Sequence, residues 1–321
     1  MDGVRSLEDL IRAARGFQES RVLLTALELD VFTALGEGAS ALEVARAIDA
    51  DARATEMLLN ALVSLRALEK RGNTFSCTAE SKALGPARVG LMHSVHLWQP
   101  WSTLTDCVKS GTTERRPGVE AHEEAWTEAF IAAMHARAKE GAAHLAKVVG
   151  TEGVRRLLDV GGGPATYALA FAEANPELHA EVLDLGPVVS LAQRNIREAG
   201  LSARVSVRKG DLRTDDFGAG YDLILLSAIC HMLDEEENRD LLCRCAKALA
   251  PGGRIVIREF ILDPDRAGPP FATLFALNML VGTRRGNSYT EAEYRQWLAE
   301  AGCVEILRPE AGGELIIGRR A

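Results

Sequence analysis

Residues 157–166, with the sequence Leu-Leu-Asp-Val-Gly-Gly-Gly-Pro-Ala-Thr, constrain the fold of this chain most strongly. A short apolar run before a glycine cluster predicts a buried strand, and glycine allows the sharp turn that must follow it. Pro164 suits the first turn of a helix, where its missing N–H would have no partner. The segment therefore predicts a strand, a glycine turn and a helix.

Predicted strands and helices alternate from residue 155 onward, as in a parallel sheet covered on both faces. The predicted strands span residues 155–160, 180–184, 205–209, 222–227 and 254–259. The predicted helices span residues 165–174, 188–199, 237–250 and 290–301. Residues 303–307 and 314–318 are too close in sequence for a crossover and predict an antiparallel hairpin. The fold class is thus α/β, a Rossmann-like, mostly parallel sheet that ends in a hairpin.

The N-terminal region predicts short helices followed by a hairpin, which is a winged-helix pattern. Leu23, Leu27, Val31 and Leu35 repeat at a helical spacing of four, and a charged turn at 69–73 precedes a short strand at 74–78. Many such modules bind DNA. Residues 1–90, however, hold 11 Lys and Arg against 13 Asp and Glu, a net charge of −2. That charge favours a packing or dimerisation role over phosphate binding.

Residues 91–150 are predicted to be entirely helical, with prominent segments at 97–108 and 120–149. In the second of these, Phe130 and Met134 share one helix face because they are four residues apart. A chain of 321 residues exceeds what one core usually supports. We therefore expect a dimerisation domain over 1–90, a helical linker over 91–150 and a ligand-binding domain over 151–321.

Composition limits the partners of the chain. Its net charge of −8 argues against nucleic acid or an anionic membrane surface as the main partner. No apolar run reaches the ~18 residues of a membrane helix, and the N-terminus has no apolar signal core, so the expected compartment is the cytoplasm. None of the six cysteines forms a C-x-x-C pair, and we expect neither a metal site nor a disulfide framework.

Acidic residues follow three successive predicted strands. Asp159 precedes the glycine turn, where it is well placed to hold an ammonium group or to position the loop, and Gly161 and Gly163 let the backbone approach a ligand closely. Asp184 lies 21 residues after Gly163, at the position where an acid accepts both ribose hydroxyls. Each acid alone is equally typical of a helix cap or a solvated loop.

The third acid, Asp211, follows the third strand and is placed to accept a hydrogen bond from an adenine amino group while Leu212 packs on the ring. Together the acids indicate one nucleoside at the carboxyl ends of the strands. A dinucleotide motif needs a third glycine where this chain has Thr166. S-adenosylmethionine (SAM), which carries an ammonium, a carboxylate and a ribose but no phosphate, suits the pattern better than a nicotinamide cofactor.

With these motifs the chain resembles bacterial members of the caffeate and hydroxyindole O-methyltransferase family, class I SAM-dependent enzymes. The resemblance covers nearly the whole length. The glycine turn and the Pro-Gly-Gly at 251–253 are general to class I methyltransferases, whereas Ile229-Cys230-His231 and the N-terminal helices point to this family. Further matching segments follow in family order at residues 101–104, 184–185, 210–211 and 289–294.

The resemblance implies a homodimer built through the N-terminal domain, SAM as methyl donor and S-adenosylhomocysteine as product. It also implies that His231 is the catalytic base and that Glu259 orients it. Leu185 and Ser227 match donor-binding positions, although the family usually has a lysine where Ser227 stands. A second orienting acid is replaced by Ser288, and the acid after the histidine is Met232. A histidine that caps the helix near Asp234 remains the alternative for His231.

The resemblance places Phe130, Met134, Asn278 and Met279 around the methyl acceptor, although ordinary core packing explains the first two equally well. An apolar pocket of this kind suggests a phenol, a hydroxyquinone or a similar planar natural product. Because the family acids at Met232 and Ser288 are missing, SAM bound for non-methylating chemistry such as hydroxylation, decarboxylation or cyclisation is the alternative function. A ligand-sensing winged-helix regulator is a further alternative, and N- or C-methylation stays open.

Overall fold

The computed structural model describes residues 6–113, 124–310 and 313–321 and, within the helix at 124–149, part of the side chains. The chain divides into two compact units, Met1–Trp98 and Gln99–Ala321. Sequence patterns alone put boundaries at 90 and 150, whereas the contacts put one boundary inside a helix that spans residues 84–101.

The N-terminal unit is mainly helical with a small sheet. Its helices are α1 (Leu7–Arg15), α2 (Phe17–Glu28), α3 (Val31–Leu35), α4 (Ala41–Ala47), α5 (Ala52–Ser64) and the beginning of α6 (Leu84–Trp101). Strands β1 (Ala39–Ser40), β2 (Leu68–Arg71) and β3 (Thr74–Cys77) form an antiparallel sheet in the order β1-β3-β2. This arrangement of helices and hairpin agrees with the winged-helix pattern of the sequence.

Two local features of this unit differ from the sequence-based prediction. The charged residues Glu69–Arg71 do not form a turn but pair with β3, and only Gly72 and Asn73 make the turn. Exposed charges are common on such edge strands because they discourage pairing with another chain. The apolar four-residue repeat also crosses a break, since Asp30 adopts a left-handed conformation (φ 57°) between α2 and α3.

The C-terminal unit contains a seven-stranded sheet in the order β6-β5-β4-β7-β8-β10-β9. The strands are β4 (Arg156–Val160), β5 (His179–Asp184), β6 (Val205–Lys209), β7 (Tyr221–Ser227), β8 (Leu249–Arg258), β9 (Cys303–Leu307) and β10 (Leu315–Arg320). Neighbours from β6 to β8 pair in parallel, and β10 pairs antiparallel with both β8 and β9. The predicted α/β class with its terminal hairpin is confirmed.

Helices cover this sheet and supply the segments between its strands. They are α7 (Leu104–Ser110), α8 (Glu124–Val149), α9 (Thr166–Ala174), α10 (Gly186–Glu198), α11 (Glu235–Ala248), α12 (Pro270–Gly282) and α13 (Glu291–Glu300). Among the described helices none has the length and apolar character needed to cross a membrane.

Three predicted boundaries were wrong for identifiable reasons. The segment 97–108 is interrupted between α6 and α7, where Pro100 lacks a backbone donor and its carbonyl accepts the Thr103 hydroxyl at 2.7 Å. β8 begins at Leu249, five residues earlier than predicted, because Leu249 pairs with Tyr221 before a register shift. The preceding helix consequently ends at Ala248 instead of residue 250.

Apolar side chains alternate between the two faces of the large sheet. Leu158, Ile224 and Ile255 belong to the core that includes α11 and α13, while Leu157, Leu223 and Val256 belong to the core with α8 and α9. Because both faces are buried, the strand register is strongly specified. The carboxyl ends of the parallel strands β4 to β8 meet at one edge of the sheet. Asp159 and Asp184 stand at the ends of β4 and β5, and Asp211 and His231 lie in the segments after β6 and β7.

Candidate active site

The glycine turn after β4 has a backbone that side chains would obstruct. Gly161 and Gly163 have positive φ angles of 67° and 55°. A Cβ at Gly161 would lie 2.2 Å from Cδ1 of Ile229, and one at Gly162 would lie 2.5 Å from the Asp159 carboxyl group. The following helix starts at Thr166, so Pro164 belongs to the turn and not, as predicted, to the helix. The backbone at Gly163 faces open space, because a Cβ there would meet nothing within 4 Å.

Asp159 is completely buried beneath this turn, with 0% of its surface exposed. Neither carboxyl oxygen has a hydrogen-bond partner among the described residues. Burial, reinforced by the negative charge of Asp184, raises the pKa of Asp159 to about 7. Of the two roles that the sequence leaves open, its enclosure favours positioning the loop over touching a ligand.

Asp184 joins the end of β5 to the glycine turn. Its Oδ2 accepts the backbone N–H of Gly163 at 2.7 Å, and its Oδ1 accepts that of Leu185 at 2.7 Å. Each carboxylate oxygen retains accepting capacity for a second donor. Burial raises the pKa of Asp184, partly opposed by these two backbone donors. The acid thus aligns the turn and stays able to accept further hydrogen bonds at the sheet edge.

The remaining predicted donor-site residues lie on the same edge. Oδ1 of Asp211 accepts the Arg213 N–H at 2.8 Å, so this carboxylate organises its own loop. A Cβ at Gly161 would lie 3.9 Å from Cδ2 of Leu212, which places the β6 loop beside the turn. Ser227 ends β7, half-buried and in register with Arg258. The structure thus brings together residues that are about 70 positions apart in sequence.

His231 and Glu259 form a buried pair at the ends of β7 and β8. Nδ1 of His231 lies 2.7 Å from Oε2 of Glu259, and the His231 backbone N–H donates to Oε1 at 3.3 Å. Only 7% of His231 and 3% of Glu259 is exposed. A carboxylate only accepts, so Nδ1 carries the ring proton and Nε2 bears the lone pair. Nε2 has no partner among the described residues.

The two positions where family acids are missing have other roles in this structure. The buried Ser288 hydroxyl donates to the backbone carbonyl of Ala272 at 3.1 Å. Met232 packs against the core that contains Ile229. Within the described residues, Glu259 is therefore the one carboxylate that holds the His231 ring.

An aromatic cluster next to His231 was missed by the sequence reasoning. The rings of His231 and Phe275 meet edge-to-face, with centroids 4.7 Å apart. Phe260 contacts Phe275 and Phe271 at 4.6 and 4.7 Å. Two features of the sequence could have predicted this cluster: the four-residue spacing of Phe271 and Phe275, and the position of Phe260 directly after Glu259. The cluster gives His231 an apolar, aromatic surrounding.

Of the residues expected around the acceptor, Asn278 and Met279 lie on α12. Oδ1 of Asn278 accepts the indole N–H of Trp101 at 2.9 Å, and Met279 is buried. The side chains of Phe130 and Met134 lie outside the described residues. α8 also reaches the helix that follows the glycine turn, because Nδ1 of His135 lies 2.8 Å from the hydroxyl of Thr166 at the start of α9. No sequence motif pointed to this contact.

Known proteins match both parts of the chain. The O-methyltransferase domain family matches residues 101–304, and the O-methyltransferase dimerisation domain family matches residues 11–85. The 3-hydroxy-5-methyl-1-naphthoate 3-O-methyltransferase of Streptomyces sahachiroi is 34% identical over 91% of this chain and 88% of its own length. The tetracenomycin polyketide synthesis 8-O-methyltransferase of Streptomyces glaucescens is 28% identical over 99% of this chain and 98% of its own length.

A solved structure, that of human N-acetylserotonin methyltransferase in complex with SAM, superposes with a TM-score of 0.83 at 26% identity and covers 100% of both chains. The family match spans more than half of this chain, and the relative from S. sahachiroi supports it independently. The chain therefore belongs to the SAM-dependent O-methyltransferase family.

Proposed function

We propose that this enzyme transfers the methyl group of SAM to a hydroxyl group of a small aromatic or polyketide-like natural product, with His231 as general base. The observation that carries the proposal is the buried pair of His231 and Glu259. This pair leaves Nε2 of His231 as a hydrogen-bond acceptor at the sheet edge where the predicted SAM-binding residues meet. A histidine poised in this way takes a proton at neutral pH.

The residues at the sheet edge fit the donor. Asp184 retains accepting capacity for the ribose hydroxyls, and the backbone at Gly163 faces open space, because a Cβ there would meet nothing within 4 Å. The Asp159 carboxyl lies fully buried beneath the turn, where it shapes the loop that approaches the donor, and burial raises its pKa to about 7. Asp211 and Leu212 would hold the adenine, beside Leu185 and Ser227.

SAM, when bound, supplies a methyl group activated on a sulfonium. His231 accepts the hydroxyl proton on Nε2 as the oxygen–carbon bond forms and the carbon–sulfur bond breaks. Glu259 then accepts the hydrogen bond of a charged imidazolium, which strengthens that bond. The Phe275 ring packs edge-to-face with the His231 ring, with the two centroids 4.7 Å apart. With Ser288 in place of a second acid, positioning of donor and acceptor carries more of the rate.

The aromatic cluster supports a planar acceptor. Phe271 and Phe275 stack with centroids 6.0 Å apart, and about half of Phe271 is exposed. Exposed aromatic rings beside a base suit a flat, apolar substrate. The names of the two bacterial relatives, a hydroxynaphthoate and a tetracenomycin methyltransferase, point in the same direction.

The N-terminal unit is proposed to form a homodimer. α1 has no buried residue, although Leu7, Leu10 and Ile11 form an apolar face of which 73%, 54% and 44% is exposed. The neighbouring residues 11–85 match the dimerisation domain family. A second copy of the chain would cover this face.

The test is incubation of the enzyme with methyl-labelled SAM and a panel of phenols, hydroxynaphthalenes and hydroxyquinones, with matched amines in parallel. Mass spectrometry of the products distinguishes O-methylation from N- or C-methylation. We expect label on hydroxyl oxygen and a loss of rate in His231→Ala. SAM binding without any methylated product would instead support the non-methylating alternative, which the replacement of two family acids by Met232 and Ser288 motivates.

A further inference from the structure

The side-chain amide of Asn278 has a fixed orientation. An indole N–H is a donor only, so the oxygen of Asn278, not its nitrogen, must face Trp101 at 2.9 Å. This settles the orientation of the amide by chemistry, although oxygen and nitrogen have similar shapes. Nδ2, with its two N–H donors, consequently points away from Trp101. No described residue accepts from Nδ2, and the side chain is partly exposed.

The same face of α12 carries the aromatic residues next to the base. Phe271, Phe275 and Asn278 are spaced by four and three residues, so they form one stripe along the helix. Phe275 contacts the His231 ring at 4.7 Å. Asn278 lies three positions after Phe275 on the helix, which is a rise of about 4.5 Å along its axis. The free amide donors therefore lie roughly one helical turn from the aromatic ring that touches the base.

From this arrangement we infer that Asn278 selects acceptors carrying a carbonyl or carboxylate oxygen near the methylated hydroxyl, and that Trp101 is the positioning residue that orients the amide. The inference rests on the proposed function and narrows its substrate class. A neutral phenol without such an oxygen would leave the amide donors unpaired in the complex, at a cost in affinity. An acceptor with the oxygen satisfies them while its ring packs on Phe271 and Phe275.

Three probes with one ring system test the inference. 3-Hydroxy-1-naphthoate carries a carboxylate, 1-acetyl-3-hydroxynaphthalene carries a neutral ketone, and 2-naphthol has the same hydroxyl without either. The dissociation constant of each is measured by calorimetry with the S-adenosylhomocysteine-loaded protein, and kcat/KM is measured with SAM. The comparison of carboxylate with ketone separates a charge preference from simple hydrogen bonding to the amide.

In Asn278→Ala, which preserves a good helix former, we expect affinity and kcat/KM for the two oxygen-bearing probes to fall about tenfold, and those for 2-naphthol to change less than about twofold. Trp101→Phe keeps an aromatic ring but removes the N–H, so it should act in the same direction. Because both substitutions act through one amide, Trp101→Phe should cause little further loss of affinity or kcat/KM when Asn278→Ala is already present.

Three results would overturn the inference. Asn278→Ala could lower affinity and kcat/KM equally for all three probes, or the wild type could show no preference for the oxygen-bearing probes. The third is that the effects of the two substitutions add. The proposed function fails separately, since it predicts that His231→Ala lowers turnover of every probe without changing their ratio. The calorimetric ratios do not depend on turnover, so they decide the role of Asn278 even if the base is another residue.

Discussion

At the residue scale, the two buried carboxyl groups of the candidate site differ in their hydrogen-bond partners. Asp159 lies enclosed under the glycine turn, and its carboxyl oxygens have no hydrogen-bond partner in the part of the chain that the structure describes. The similarly buried Glu259, by contrast, accepts two hydrogen bonds from His231. The sequence alone identified the acids after the strands because their positions follow from the strand pattern. The pairing of His231 with Glu259 was inferred from a family resemblance, and the contacts of Phe275 and Trp101 were not foreseen, because they join segments that no spacing rule relates.

The enclosed carboxyl of Asp159 predicts a specific pH dependence of stability. Its pKa of about 7 in the folded protein lies above its ordinary value of 3.8, so the folded chain binds the proton more tightly than the unfolded chain. The free energy of unfolding should therefore fall as pH rises from 4 to 7, by up to about 4 kcal/mol from this group, and then level off. Asp159→Asn should remove that fall.

Urea denaturation between pH 4.5 and 8 measures this prediction, with exposed Glu152→Gln as the control that should follow the wild type. Equal pH slopes in Asp159→Asn and wild type would mean that Asp159 does not hold its proton as proposed.

At the scale of the element, strand and helix types followed from apolar patterning, but their ends depended on interactions with distant residues. β8 starts early because Leu249 finds Tyr221 opposite it, and α6 separates from α7 where Pro100 lacks a donor. The glycine turn was predicted, yet the reason for its middle glycine was not visible in sequence. Gly162 is required because the Asp159 carboxyl lies directly beneath it.

Gly162→Ala should therefore displace the turn, since its Cβ would lie 2.5 Å from the fully buried Asp159 carboxyl group. We expect SAM affinity, measured by calorimetry, to fall at least about tenfold, as for other losses of precise site geometry.

Gly141→Ala on α8 is the matched control for that substitution. Its added Cβ would meet nothing within 4 Å, and alanine is the better helix former, so SAM affinity should stay unchanged and stability should rise slightly. Unchanged SAM affinity in Gly162→Ala would refute the role assigned to the turn.

At the scale of the whole molecule, the sequence predicted the two architectures and their order along the chain. The boundary between the two units was harder to predict from the sequence, because it lies within a single helix. Helical periodicity does not show which unit a given turn of that helix belongs to. We attribute the apolar face of α1 to the proposed dimer, which one chain alone does not contain. Leu7, Leu10 and Ile11 remain exposed on a helix with no buried residue.

Replacing Leu7, Leu10 and Ile11 together by serine should weaken the proposed dimer without unfolding the unit, because these side chains contribute little to its core. Sedimentation velocity should show dissociation at a protein concentration at least about tenfold higher than for the wild type. Val304→Ser, which alters an exposed apolar residue on β9 of the other unit, should leave the dimer intact. A triple variant that stays as dimeric as the wild type would exclude α1 from the interface.

The central claim is that His231, held by Glu259, takes the proton of the acceptor hydroxyl. The most direct measurement is single-turnover methyl transfer in wild type, His231→Ala, Glu259→Gln and the double variant, with SAM affinity measured in parallel. We predict a loss of at least about 100-fold in His231→Ala with unchanged SAM affinity, a smaller loss in Glu259→Gln, and a double variant no slower than His231→Ala. Methyl transfer by His231→Ala within about threefold of the wild-type rate would contradict the account.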